Sequence, residues 1–292
     1  MKGSSSRHPG GPGGRPPPSR PGIPSGDRPA LPAGDGSAVT ADPWQALRRH
    51  TPARIALGRS GVSVPTGELL RFGLAHAQAR DAVLQPLDAA ALERDFRGAG
   101  FEVLTTRSAA PDRATYLLRP DLGRRLDEAE IERLQSAGAP PCDLLLVAGD
   151  GLSALAVQRH ALPLARAVRE RTPAGWTLGP VVIATQARVA LGDDIGQALG
   201  ARLVAVLIGE RPGLSSPDSL GVYLTWAPRR GRSDAERNCI SNVRPQGLSS
   251  AHAADALWWL AQAAARLQAT GVVLKDERGP SPPGAGAAGS DR

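Results

Sequence analysis

The chain has 292 residues and a formal charge of +7, with 41% hydrophobic residues but only 3% aromatic ones. That length permits one or two domains with a sizeable, mainly aliphatic core. No apolar run can span a bilayer, Met1-Lys2-Gly3-Ser4 opens no secretory signal, and two cysteines, Cys142 and Cys239, suit a reducing cytoplasm rather than a disulfide or zinc framework. The positive charge is almost all arginine and is spread along the chain, without the interleaved aromatics of a nucleic-acid platform. Neither nucleic acid nor membrane is therefore an expected partner.

Residues 1–41 are dominated by Gly, Pro, Ser and Arg and are read as a disordered tail, as are residues 277–292. Structure is expected from Asp42, which can cap a helix with Pro43 in its first turn, running Trp44 to His50. Pro65-Thr66 opens a second helix carrying Leu69, Leu70, Phe72 and Leu74. A third is predicted over Asp88 to Arg97. Residues 42–102 thus form a small, mainly helical N-terminal domain.

From Phe101 the period changes. Phe101 to Thr105 and Thr115 to Leu118 read as short strands, and Asp127 to Ser136 as a helix stopped by Gly138 and Pro140-Pro141. Leu144 to Ala148, Val181 to Ala184 and Leu203 to Ile208 are continuous aliphatic runs, the mark of strands buried on both faces. They alternate with predicted helices over Ser153 to Arg171 and Asp193 to Leu199. Val222 to Trp226 is a candidate further strand, and a helix over Ala251 to Ala269 closes the domain. The expected fold is α/β, with a Rossmann-like parallel-sheet domain over 103–276.

Two turns follow buried strands. Gly149-Asp150-Gly151-Leu152-Ser153 is neither the Rossmann fingerprint nor a P-loop, and reads as a strand-to-helix turn capped by Ser153. Gly209-Glu210-Arg211-Pro212-Gly213 puts an acid and an arginine at a strand's carboxyl end, where α/β sheets bind ligands. Glu210 can accept hydrogen bonds from a polar ligand and Arg211 can meet an anion; the alternative is a Glu–Arg pair that merely holds the loop. Cys239, in Asn238-Cys239-Ile240-Ser241-Asn242, reads as a partly buried pocket residue, since no histidine is placed to activate it. Arg229-Arg230-Gly231-Arg232 reads as a solvated basic loop, with a phosphate or a partner's acidic rim as the alternative. His8, His50, His76, His160 and His252 are scattered, without metal-ligand spacing, so no metal site is expected.

Several separated runs together are distinctive. They are Thr51 to Ile55 with Gly58 to Gly61, Leu69 to Phe72, Tyr116 to Leu126, Asp150 to Ser153, Arg188-Val189, Gly209 to Leu214, and Asn238 to Asn242. In this order they resemble the small subunit of ethanolamine ammonia-lyase, over about Asp42 to Asp276. The resemblance implies a hetero-oligomeric, adenosylcobalamin-dependent carbon–nitrogen lyase that converts ethanolamine to acetaldehyde and ammonia by a radical route. It places the catalytic groups on a (β/α)₈ large subunit and none on this chain, which would cover the cobalamin at the subunit interface. Carried over residue by residue, it makes Val189, Glu210 and Cys239 cobalamin contacts. The segment Ala190 to Gly196 departs from the family's pattern. Without an Asp-x-His-x-x-Gly run, cobalt is expected to keep its own dimethylbenzimidazole. The family also has members in bacterial microcompartments, although the Gly/Pro-rich tail does not read as an encapsulation helix. Two rival readings are a stand-alone nucleotide-binding α/β enzyme, whose glycine fingerprint is incomplete here, and a structural assembly subunit without cofactor contact.

Overall fold

A computed structural model describes residues 39–276. The two tails predicted from composition lie, apart from residues 39–41, outside the described residues.

Asp42 accepts the Trp44 amide at 2.8 Å, and the expected helix follows over Gln45–His50, in the tighter 3-10 form. It buries no side chain, so nothing rewards a longer α-helical nucleus. Two α-helices follow, α1 (Thr66–Leu84) and α2 (Ala89–Gly98). Asp88 caps α2 by accepting the Ala91 amide at 2.9 Å. Helix α2 buries Leu92 and Phe96. Helix α1 buries only Glu68, Ala75 and Ala82, while Leu69, Leu70 and Leu74 stand in the open, Leu70 at 67%.

The rest is a six-stranded mixed sheet in the order β1-β3-β2-β4-β5-β6. The strands are β1 (Val103–Arg107), β2 (Leu144–Gly149), β3 (Leu178–Thr185), β4 (Leu203–Gly209), β5 (Leu220–Trp226) and β6 (Arg237–Val243). The first four pair in parallel, but β5 and β6 run antiparallel, so the wholly parallel sheet expected from sequence is corrected to a mixed one. The cause is local: a loop of ten residues joins β4 to β5 without a helix, and a parallel return needs a crossover.

A second correction concerns Thr115 to Leu118. This run is not a strand but lies in the short helix α3 (Arg113–Leu118), capped by Asp112, which accepts the Thr115 amide at 2.7 Å. The cap and the burial of Tyr116 outweigh the strand preference of Thr and Tyr.

Residues of β2, β3 and β4 alternate between two cores. Leu144, Leu146, Ile183, Ala205 and Leu207 face α5 (Ala154–Glu170) and α7 (Ser250–Leu267), together with α2. Leu145, Val147, Val182, Val204 and Val206 face α4 (Glu128–Ser136) and α6 (Leu191–Ala198). The chain therefore leaves β2 for α5 on one face and leaves neighbouring β3 for α6 on the other. Between those two exits the carboxyl ends of the strands open a crevice.

Candidate functional site

The crevice is a cleft of about 390 Å³ lined by Tyr116, Gly151, Leu152, Arg188, Val189, Ile208, Gly209, Glu210, Arg211 and Tyr223. Three loops build it: the turn after β2, the segment Gln186 to Ala190 after β3, and the end of β4. The first and third touch closely. Gly151 has φ +56°, and a Cβ there would lie 2.3 Å from the Gly209 carbonyl oxygen. Only glycine permits this approach. Ser153 caps α5 as expected, accepting the Ala156 amide at 3.3 Å, and its hydroxyl donates to the Pro217 carbonyl at 2.7 Å.

Glu210 stands at the rim. Its carboxylate accepts from the hydroxyls of Ser219 and Ser241 and, at 3.4 Å, from the Asn242 amide. It makes no ion pair with Arg211, so the alternative of an internal Glu–Arg pair is replaced by a tether between the end of β4 and strand β6. Ionised, the carboxylate has about four acceptor positions, and these three donors leave it capacity for another. Arg211 is exposed and makes no ion pair or hydrogen bond among the described residues. Val189 also lines the cleft.

Cys239 is not in the cleft wall. It pairs in register with Tyr223, which lines the wall, and its thiol and the Tyr223 hydroxyl interact directly. The residue is exposed overall, yet the protein around the sulfur desolvates it. That desolvation raises the thiol's pKa, aided by the Glu210 charge and opposed by Tyr223. A thiolate nucleophile needs the reverse shift. Tyr223 is also pushed upward, by burial first.

Behind the cleft lies a network that motif reading missed. Asp150, 1% exposed, accepts the amides of Gln186 at 3.0 Å and Ala187 at 2.8 Å. It also pairs with Arg113 at 3.1 Å. Arg113 and Arg188 both stack on the Tyr116 ring, 4.7 and 4.4 Å from its centroid. The Tyr116 hydroxyl donates to the Ala187 carbonyl at 3.1 Å, and burial pushes its pKa up to about 12. Two buried polar atoms lack partners here, Gln186 Oε1 and Arg188 Nε. The sequence signal for Tyr116 was its place in a distinctive run; nothing local announced the partners of Asp150.

Further acids and arginines around α6 pair with one another. Asp193 and Arg237 form a bidentate pair at 2.7 Å, 2% and 1% exposed. Asp194 pairs with Arg230 at 2.7 Å and accepts the Leu126 amide at 2.9 Å. Arg232 pairs with Glu236. Within the basic loop read as solvated, Arg229 is exposed, while Arg230, half exposed, clamps Asp194 of α6. Among the described residues no cluster of His, Cys, Asp and Glu could hold a metal ion, and no helix is long and apolar enough to cross a membrane.

The sequence profile of the ethanolamine ammonia-lyase light chain matches residues 41–275. The chain belongs to the ethanolamine ammonia-lyase small-subunit family. It is 59% identical over 242 residues to the ethanolamine ammonia-lyase small subunit of Azotobacter vinelandii, covering 82% of this chain and 90% of that one. The small subunit of Ralstonia nicotianae is 57% identical with the same coverage. That of Pseudomonas aeruginosa is 57% identical over 240 residues, 81% of this chain and 88% of its own. Membership makes this chain a subunit of a carbon–nitrogen lyase, and a small subunit implies a large one.

Proposed function

We propose that this chain holds adenosylcobalamin in the cleft at the carboxyl ends of β2, β3 and β4, against the large subunit that carries the substrate groups. The observation that carries the reading is the cleft's mixture of surfaces. Leu152, Val189 and Ile208 are apolar, while Glu210, Arg211 and the buried, unpartnered Arg188 Nε offer polar groups. A corrin is a broad apolar disc fringed with amides, so it needs both. Amide N–H groups would donate to Glu210, and amide carbonyls would accept from Arg211 and Arg188. Val189 would pack on the disc. Cys239 would reach the cofactor beside Tyr223, from the rim of the cleft. When bound, the cofactor supplies an organic radical by homolysis of its cobalt–carbon bond; this chain binds, orients and excludes water.

On this reading the α/β domain over residues 103–276 is a Rossmann-like cobalamin-contacting domain, and residues 42–102 are a helical N-terminal domain. The exposed Leu69, Leu70 and Leu74 of α1 support cover by the large subunit, since contiguous exposed apolar groups mark interaction surfaces. With no Asp-x-His-x-x-Gly run, this chain would offer the cobalt no histidine in place of the cofactor's own dimethylbenzimidazole.

Glu210→Gln tests the site. It retains shape and one acceptor oxygen but removes charge. A lost hydrogen bond to a charged group costs about 1.5–3 kcal/mol, or roughly 10- to 150-fold in affinity. The apparent KM for adenosylcobalamin should rise by that factor in the assembled two-subunit enzyme, with the KM for ethanolamine little changed. If the variant instead dissociates the subunits while the assembled fraction keeps its cobalamin affinity, Glu210 serves only as the β4–β6 tether.

A further inference from the structure

Gln186 is one of five non-glycine residues with positive φ among the described residues, at +55°. That backbone is strained for an L-residue and persists only where its surroundings over-determine it. Gln186 begins the crest Gln186 to Val189, whose last two residues line the cleft. A buried carboxylate holds the first half of the crest, because Asp150 accepts the amides of both Gln186 and Ala187, while the Arg188 amide donates to the Gly123 carbonyl at 2.8 Å. Asp150 is in turn fixed by Arg113, whose Nη1 also donates to the Gly151 carbonyl at 2.8 Å. The Nε and Nη2 groups of Arg113 donate to the Val83 carbonyl, in the last turn of α1, at 3.0 and 2.9 Å. Tyr116 closes the ring through Ala187 and the stacked Arg188. Asp150 is buried and the Arg113 side chain nearly so. Their common effect is to set where Arg188 and Val189 stand.

Resting on the cobalamin reading above, we propose that Asp150 is a positioning residue: it holds Gln186 in the left-handed region and so pre-forms the Arg188–Val189 wall for the cofactor. A clamp that acts through backbone geometry has a distinctive signature. Glycine at position 186 adopts φ +55° at no steric cost, so it should make the clamp dispensable.

The test uses the assembled two-subunit enzyme and the variants Asp150→Asn, Gln186→Gly and their combination. Asp150→Asn should raise the apparent KM for adenosylcobalamin about tenfold, as a pre-organisation cost, with kcat within about twofold. Gln186→Gly alone should stay near the parent, and the double variant should recover most of the lost affinity. An unchanged KM in Asp150→Asn, or a loss that adding Gln186→Gly does not recover, overturns the proposal. If Asp150→Asn does not fold, Gln186→Ile carries the test, because a β-branched side chain opposes positive φ with the clamp intact. Its KM should rise, and an unchanged one is an overturning result. Val189→Asp and Glu210→Gln serve as references. If neither alters cobalamin KM, the cobalamin reading itself fails. If both do and the Asp150 and Gln186 variants do not, only the positioning role fails.

Discussion

Two charged regions of the molecule use the same residue types to opposite ends. Under α6, Asp193 and Arg237 face each other in a bidentate pair sealed from water, and Asp194 is closed by Arg230 and an amide. At the end of β4, Glu210 is tethered by hydroxyls and keeps acceptor capacity, Arg211 has no partner among the described residues, and Arg188 Nε is buried unpaired. Internally saturated charge locks β6 and α6 together. Unsaturated charge in a cleft leaves hydrogen bonds for something that arrives later. The segment after Val189, where the family pattern loosens, falls in the first region. There the acids serve the fold.

The sharpest way to break this contrast is to unpair the closed region. Arg237→Ala should destabilise by about 3–5 kcal/mol, since it strands a buried carboxylate. At this size the melting temperature should fall on the order of 10 °C, with cobalamin KM unchanged in the enzyme that remains folded. A small fall would mean that Asp193 finds other partners.

Removing Arg211 from the open region should do the reverse. Arg211→Ala should leave the melting temperature of this chain within about 1–2 °C, as surface changes usually move stability by less than ~0.5 kcal/mol. Its apparent KM for adenosylcobalamin should rise about tenfold or more, the scale of one charge-assisted hydrogen bond. A thermal loss like that of Arg237→Ala would erase the distinction.

Cys239 sharpens the comparison more gently. With its thiol pKa raised by desolvation, alkylation of the exposed residue near pH 7 should be slower than that of a free peptide thiol. The rate should climb only above the ordinary thiol pKa of about 8.5. Mass spectrometry after iodoacetamide treatment across pH reads this directly, and rapid modification at neutral pH would contradict it.

The smallest effect belongs to Asp143, at the amino end of β2, far from the cleft. Desolvation is the largest single influence on its pKa and raises it, but the Thr177 amide, Arg202 and the Thr177 hydroxyl together outweigh it and leave the pKa lowered. A lowered folded pKa stabilises the fold above the unfolded value of about 3.9, and that contribution is lost as pH falls through the folded pKa. Asp143→Asn should therefore cost less than ~1 kcal/mol near neutral pH. The difference in melting temperature from the parent should shrink on acidification below about pH 4; a difference independent of pH would remove the electrostatic explanation.

The amino-acid sequence by itself determined the elements whose burial is local to the run. Leu144 to Ala148, Val181 to Ala184 and Leu203 to Ile208 are strands because continuous aliphatic residues must be covered on both faces. Helix α5 begins where Ser153 can cap it. The distinctive runs also carried family membership, and they singled out Val189 and Glu210, which the fold brings into one cleft. Tertiary structure decided what depends on distant partners. Tyr116 became helical once Asp112 capped its turn and two arginines stacked on its ring. The polar run Arg237–Val243 shows no strand period of burial, but it is a strand because β5 offers an edge and Asp193 waits for Arg237. Glu210 is tied to Ser219 and Ser241 rather than to its neighbour Arg211. Asp150 looks from sequence like an ordinary turn residue, and only the fold places the Gln186 and Ala187 amides, 36 and 37 positions later, within its reach. Periodicity records which residues are buried, whereas the partners of a buried charge are chosen by the packing of elements that lie far apart along the chain.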